Sequence, residues 1–161
     1  MNERHVTHAT FTIERTYDAS PARVFAAWAD PAAKRRWFAG PGEAGTSEHQ
    51  LDFQVGGRES NRGRPPGGPI YTFEARYQDI VPDQRIVYTY DMYLDKTRIS
   101  VSLATVEFEA MDNGIRLIVT EQGAYLDGHD KPQYREQGTN DLLDALGVEV
   151  RLTSDPVIKN V

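Results

Sequence analysis

An α+β domain is the fold class this sequence predicts: a curved antiparallel sheet wrapped around a long C-terminal helix, with two short helices after the first strand. Three observations lead there. The stretch Asp130 to Gly147, DKPQYREQGTNDLLDALG, reads as one amphipathic helix near the end of the chain. From Thr46 to its start, apolar and polar residues alternate between turn signals, the pattern of a meander of strands. Between the first strand and that meander, DASPARVFAAWADP carries two helix starts in close succession.

In chain order, Ala9 to Tyr17 sets Phe11, Ile13 and Arg15 against Thr10, Thr12 and Glu14, the period of a strand. Ser20 before Pro21 supplies a hydroxyl cap followed by proline at the first helical position, and Val24, Phe25 and Trp28 give the helix its apolar face. Asp30-Pro31 repeats the device and starts a second helix that runs to Trp37 and Phe38. Strands are expected over His49–Val55 and Arg58–Asn61, with RGRPPGGP at 62–69 as a loop. Ile70 to Val81 is the clearest strand, with Tyr71, Phe73, Ala75 and Tyr77 on one face. A turn at Pro82-Asp83 returns the chain through Arg85–Tyr93, where Ile86, Tyr88, Tyr90 and Met92 share a face. Asp95-Lys96 turns it again into Ile99–Glu109, and Asp112-Asn113-Gly114 is a hairpin signal before Ile115–Gln122.

In the final helix Asp130 is the expected N-cap, Pro132 lies in the first turn and Gly147 is the expected stop. Tyr134, Gly138, Leu142 and Leu146 form its apolar stripe with Ala145, while Arg135, Glu136 and Asp144 face water. A sheet with one apolar face must be covered, and this is the only element long enough to do it.

Composition narrows the function classes. At 161 residues, 39 % hydrophobic and 26 % charged, the chain suits one soluble domain spanning 1–161, with tails at 1–8 and 149–161. A net charge of −6 argues against nucleic acid, where affinity comes from neutralising phosphates. The absence of cysteine removes disulfides, thiolate nucleophiles and cysteine metal sites, and fits a cytoplasmic protein. No run approaches the length of a membrane span. His5, His8, His49 and His129 form no HExxH-like set, so neither a metal nor a cofactor is expected. Homodimerisation is left open.

The order of elements resembles the helix-grip fold of the START-like (SRPBCC) superfamily, which includes birch-pollen-allergen-like proteins and polyketide cyclases. Within it the chain is similar to the family named after the activator of the heat-shock-protein-ninety ATPase. The residues that carry the likeness are ASPARVFAAWADPAAKRRWF at 19–38, YQDIVPDQRIVYTYDMY at 77–93, TEQGAYLDG at 120–128 and REQGTNDLLDALG at 135–147. The likeness spans about Thr10 to Val148. It departs from the pattern at Asn140-Asp141, where many relatives carry Gly-Trp.

The resemblance implies a hollow between sheet and helix, so the inward aromatic residues become candidate walls. These are Trp37, Tyr71, Phe73, Tyr88 and Tyr90, with Leu142 from the helix; Tyr77 shares their face. Gly138, which costs a helix ~1 kcal/mol relative to alanine, makes room for a ligand or for a close-packed strand. Strict alternation turns Glu121 inward with Leu117 and Val119, as a polar contact beside Tyr125 and the one weak candidate for an acid or base. The bland reading of Glu121 is a carboxylate partnered by an arginine or a tyrosine. Arg58, Arg62 and Arg64 flank the Gly/Pro loop and either meet an anionic group or stay solvated; Lys34-Arg35-Arg36 reads as a wet helix face. The first functional expectation is binding of a small hydrophobic or aromatic molecule. The alternatives are a polyketide cyclase or dehydratase-like enzyme and a chaperone ATPase activator-like role.

Overall fold

The computed structural model describes residues 4–39 and 47–152. Strand β1 (Val6–Tyr17) is followed by helices α1 (Pro21–Ala29) and α2 (Pro31–Lys34) and a single π-type turn (Arg35–Ala39). Strands β2 (Ser47–Leu51), β3 (Arg58–Gly63), β4 (Tyr71–Val81), β5 (Arg85–Leu94), β6 (Thr97–Met111) and β7 (Gly114–Leu126) then lead to α3 (Pro132–Leu152). All seven strands form one antiparallel sheet in the order β1-β7-β6-β5-β4-β3-β2. It is a curved sheet with helices on one side, the helix-grip α+β architecture. No helix among the described residues is long and apolar enough to cross a membrane.

Local chemistry places the short elements. Ser20 Oγ accepts from Arg23 N at 3.1 Å and Asp30 Oδ2 from Ala33 N at 3.0 Å, so each proline helix start has its hydroxyl or carboxylate cap. Asp83 and Asp95 take positive φ at the hairpin tips. At Gly114 a Cβ would lie 2.2 Å from the Tyr17 carbonyl oxygen, so only glycine fits where β7 starts beside the end of β1. Inward residues such as Ile86, Val106, Ile115 and Leu117 are sealed in a core shared with Val24, Phe25 and Trp28 of α1.

Helix α3 is longer than its sequence signals suggest. It continues through Gly147 to Leu152, and Val150 is in the core, so 149–152 is helix rather than tail. Gly147 is not a stop: its Cα faces Tyr17, and a Cβ there would come within 3.1 Å of the ring. At the other end of the chain the tail is also shorter, because Val6 to His8 pair with Leu126 to Ala124. That pairing extends β7 to Leu126, past the expected end at Gln122. Asp130 does not cap α3. Lys131 occupies that position, its carbonyl accepting from Arg135 N, and Asp130 binds the Arg135 side chain instead.

The basic run at 34–36 is not one wet face. Lys34 is 1 % exposed, with Nζ 2.9 Å from Oε1 of the equally buried Glu59 and 4.4 Å above the Phe38 ring. Glu59 also accepts from Tyr77 Oη at 2.5 Å and pairs with His49 Nε2 at 2.8 Å. Arg36 reaches the other way, to Glu149 of α3 at 2.6 Å. Burial alone would raise the Glu59 carboxyl, but the Lys34 charge and the donors from His49, Tyr77 and Lys34 outweigh it and hold the group at about 2.

Replacing Lys34 with Ala strands that carboxylate, so urea unfolding followed by tryptophan emission is expected to show a loss of about 3–5 kcal/mol. Because the folded-state value of Glu59 is depressed, its contribution is present above the ordinary carboxylate range and is lost as pH falls toward about 2. Acid titration of the Lys34→Ala variant should show a weaker version of that decline.

Candidate functional site

The apolar contacts of α3 are concentrated in its C-terminal half. Leu143, Leu146 and Val150 are buried, whereas Tyr134 is 67 % exposed and Gly138 also faces open space. Under the N-terminal half the helix therefore stands off the sheet, and a cavity of about 800 Å³ lies between them. Its floor is the row of inward residues on β4 and β5: Phe73, Tyr88, Tyr90 and Met92. Trp37 and Phe38 of the π-type turn close one side, and Leu142 and Leu143 form the ceiling. Arg64, Pro65 and Pro66 of the Gly/Pro loop, with the exposed Tyr71 and Tyr134, make the mouth.

The walls are rigid because the rings support one another. Phe73 meets Tyr90 at 4.8 Å and Phe38 at 4.9 Å between centroids, and Trp37 stacks edge-on to Trp28 at 4.9 Å. Trp37 is further fixed by donation from Nε1 to the Ala27 carbonyl at 2.8 Å. The π-type turn aims that ring inward.

One end of the cavity is polar. Tyr90 Oη donates to Glu121 Oε1 at 2.6 Å and accepts from Arg135 at 3.0 Å. Arg135 also donates to Ser100 Oγ and to Asp130 Oδ2, each at 2.8 Å, and its guanidinium lies over the Tyr125 ring at 5.3 Å. Glu121 Oε1 is 3.9 Å from Arg135, too far for a direct hydrogen bond. Burial raises the Glu121 carboxyl above its ordinary value, and the Tyr90 donor and Arg135 charge only partly oppose it. Burial, the Glu121 charge and the bond to Glu121 push the Tyr90 phenol up, so it is a neutral donor; Tyr125 is pushed up to about 12 by burial. A largely buried carboxyl bonded to a phenol that in turn accepts from a guanidinium can bind a polar group or move a proton.

Eight of the nine sequence candidates line the cavity: Trp37, Tyr71, Phe73, Tyr88, Tyr90, Glu121, Gly138 and Leu142. One of them sits differently from its sequence assignment: Tyr71 is 45 % exposed at the rim rather than inside. At Gly138 no neighbour lies within 4 Å of where a Cβ would sit, so of its two sequence readings close packing is the one that does not explain it. Tyr125 is not a wall residue. It is sealed behind Arg135, where its ring supports the guanidinium.

The helical stripe is also turned: Arg135, assigned to water, is 9 % exposed and projects inward, while its neighbour Tyr134 points out. Ser100 escaped notice because β6 carries a bulge. Met92 pairs with Ser100 and Tyr93 with Arg98, leaving Ile99 as the extra residue, so Ile99 and Ser100 both face in. Of the loop arginines only Arg64 lines this cavity; Arg62 lies 3.9 Å from Glu48. Among the described residues no group of three or more His, Cys, Asp or Glu could hold a metal ion.

Comparison with known proteins places this geometry in context. The family model described as activator of Hsp90 ATPase homolog 1-like protein matches residues 18–151. A solved structure of a protein from Rhizobium leguminosarum is 45 % identical, with a TM-score of 0.89 over 94 % of this chain and 99 % of that one. A second, from Rhizobium loti, is 50 % identical, with a TM-score of 0.84 over 90 % and 99 %. A Chromobacterium violaceum protein at 24 % identity and a TM-score of 0.75, over 89 % and 98 %, shares the fold. No curated protein matches the chain.

The raised Glu121 carboxyl has a thermodynamic signature. A carboxyl that holds its proton more tightly folded than unfolded favours the fold at low pH, and this benefit is lost as pH rises through the folded-state value. Glu121→Gln removes that titration. Its stability relative to the natural protein is therefore expected to improve as pH rises through and above the ordinary carboxylate range. Urea midpoints that run parallel for the two proteins across that range would contradict the assignment.

Proposed function

The chain belongs to the activator of Hsp90 ATPase homolog 1-like family, and from that membership and the hollow beneath α3 we propose that it binds a small, largely apolar molecule, preferably aromatic. The observation that carries this reading is the cavity itself. At about 800 Å³ it falls within the range of small-molecule sites, and its walls combine rings and aliphatic side chains with a few convergent polar groups. The rings offer flat apolar area, and the single polar end would orient whatever enters.

A second reading is favoured by the Glu121–Tyr90–Arg135 constellation: an enzyme of the cyclase or dehydratase kind, with the carboxyl moving a proton and the cavity holding a reactive chain in a productive bend. Turnover lost in Glu121→Gln with binding retained would favour it over simple binding.

Trp28 and Trp37 sit 4.9 Å apart and both border the cavity, so their emission is a built-in reporter. Titrating bicyclic aromatic molecules should change it saturably. Leu142→Trp, which fills the ceiling, is expected to weaken binding at least about tenfold while leaving the unfolding transition cooperative. Unchanged affinity in that folded variant would place the bound molecule elsewhere.

A further inference from the structure

The polar end of the cavity is asymmetric in what it still offers. The Tyr90 proton is committed to Glu121 Oε1, and three of the five Arg135 N–H donors are committed to Tyr90, Ser100 and Asp130. The Arg135 charge is already countered by Asp130 at 2.8 Å. Glu121 Oε2 has no hydrogen-bond partner among the described residues, and neither does the hydroxyl of Tyr88 on the adjacent floor. Neither oxygen is sealed away: both residues line the cavity, and neither atom is among the buried polar atoms without a partner. The Tyr88 phenol, raised by burial and by the nearby Glu121 charge, keeps its proton. What the cavity presents to an incoming molecule is thus a carboxylate oxygen seeking a donor, beside a hydroxyl that can give or take.

We infer that the cavity selects molecules carrying an N–H or O–H donor on an apolar, ring-sized body, such as phenols, amides or amines, and discriminates against carboxylates and against acceptor-only or wholly apolar analogues. This rests on the ligand-binding reading above and states which class that site takes. The physical reason is the cost of the alternatives. A carboxylate ligand would set a second negative charge beside Glu121 in a low-dielectric enclosure. Arg64 at the mouth offers it little, because that side chain is exposed and its charge is screened by water. An acceptor-only or apolar ligand would displace water from Glu121 Oε2 and leave it unpaired, which is more costly than the absence of one extra contact. Selectivity built on a buried hydrogen-bonding group is sharper than selectivity built on shape.

Four probes on one ring system separate the possibilities, in two size-matched pairs: naphthol with methylnaphthalene, and acetylnaphthalene with naphthoate, each substituted at the same ring position. Affinities are read by calorimetry and tryptophan emission at mildly alkaline pH, which favours the ionised form of Glu121. Naphthol is expected to bind at least about tenfold more tightly than each of the other three, the factor one hydrogen bond to a charged group supplies. In Glu121→Gln the amide oxygen can keep the Tyr90 proton and turn its NH₂ toward the cavity, so the order should invert, with acetylnaphthalene gaining on naphthol. Methylnaphthalene or acetylnaphthalene matching naphthol in the natural protein would overturn the inference while leaving a ligand-binding cavity intact, as would naphthoate binding most tightly. If none of the four binds, the ligand-binding reading fails together with this one.

Discussion

The cavity exists because α3 is held to the sheet by two unlike kinds of contact. At the C-terminal half the contact is apolar packing, and it is close: Leu143, Leu146 and Val150 enter the core, Gly147 lets the Tyr17 ring in, and Arg36 ties down Glu149. At the N-terminal half the contacts are long charged side chains: Arg135, spanning from the helix to Tyr90 on β5 and Ser100 on β6, and Arg15 of β1, reaching Asn140. A guanidinium on a three-carbon stem holds two surfaces apart as well as together. Leucine in its place could draw the helix down and fill the hollow, so the polar strut and the empty volume are one feature.

Two buried carboxylates flank the aromatic floor, and their different environments say which is structural. Glu59 has an ammonium at 2.9 Å, a phenol at 2.5 Å and a histidine at 2.8 Å, and its pKa is driven down. Glu121 has one phenol and an arginine already shared with an aspartate, and its pKa is driven up. The first is fully satisfied and fastens β3 to α2 behind the tryptophan pair. The second is under-satisfied and faces open volume. Buried polar groups in a fold are normally paired, so the one left short of partners beside a cavity is the better candidate for a site than for a brace.

Much of this architecture can be read from alternation and turn chemistry. Phe73, Tyr88, Tyr90 and Glu121 lie on regular stretches of strand, where period two carries the inside-outside assignment correctly over many residues. The helix caps at Ser20 and Asp30 are likewise local. What escaped is what depends on a partner distant in sequence. Lys34 looks solvated until Glu59, 25 residues on, is known to lie over it. Arg135 looks like the wet face of an amphipathic helix because a helical wheel assigns charge to water, whereas here Asp130, Ser100 and Tyr90 supply enough partners for a buried guanidinium. Gly147 has the appearance of a helix terminator, and only the approach of Tyr17 reveals its purpose.

The bulge at Ile99 carries one more consequence. Because the surplus residue turns Ile99 to the same concave side as Ser100, which is already in phase with Ser102 and Ala104, the local segment count of β6 is as binding a constraint as any side-chain identity. Removing that one amino acid would restore perfect pairing and leave the serine where it is, opposite Met92 and Tyr125, but would strip the isoleucine from the cavity lining. The guanidinium would then keep its footing while the hollow lost part of its apolar edge. Among homologous chains, insertions and deletions in the short β5–β6 connection would therefore be expected to retune the pocket more than most point changes around its rim.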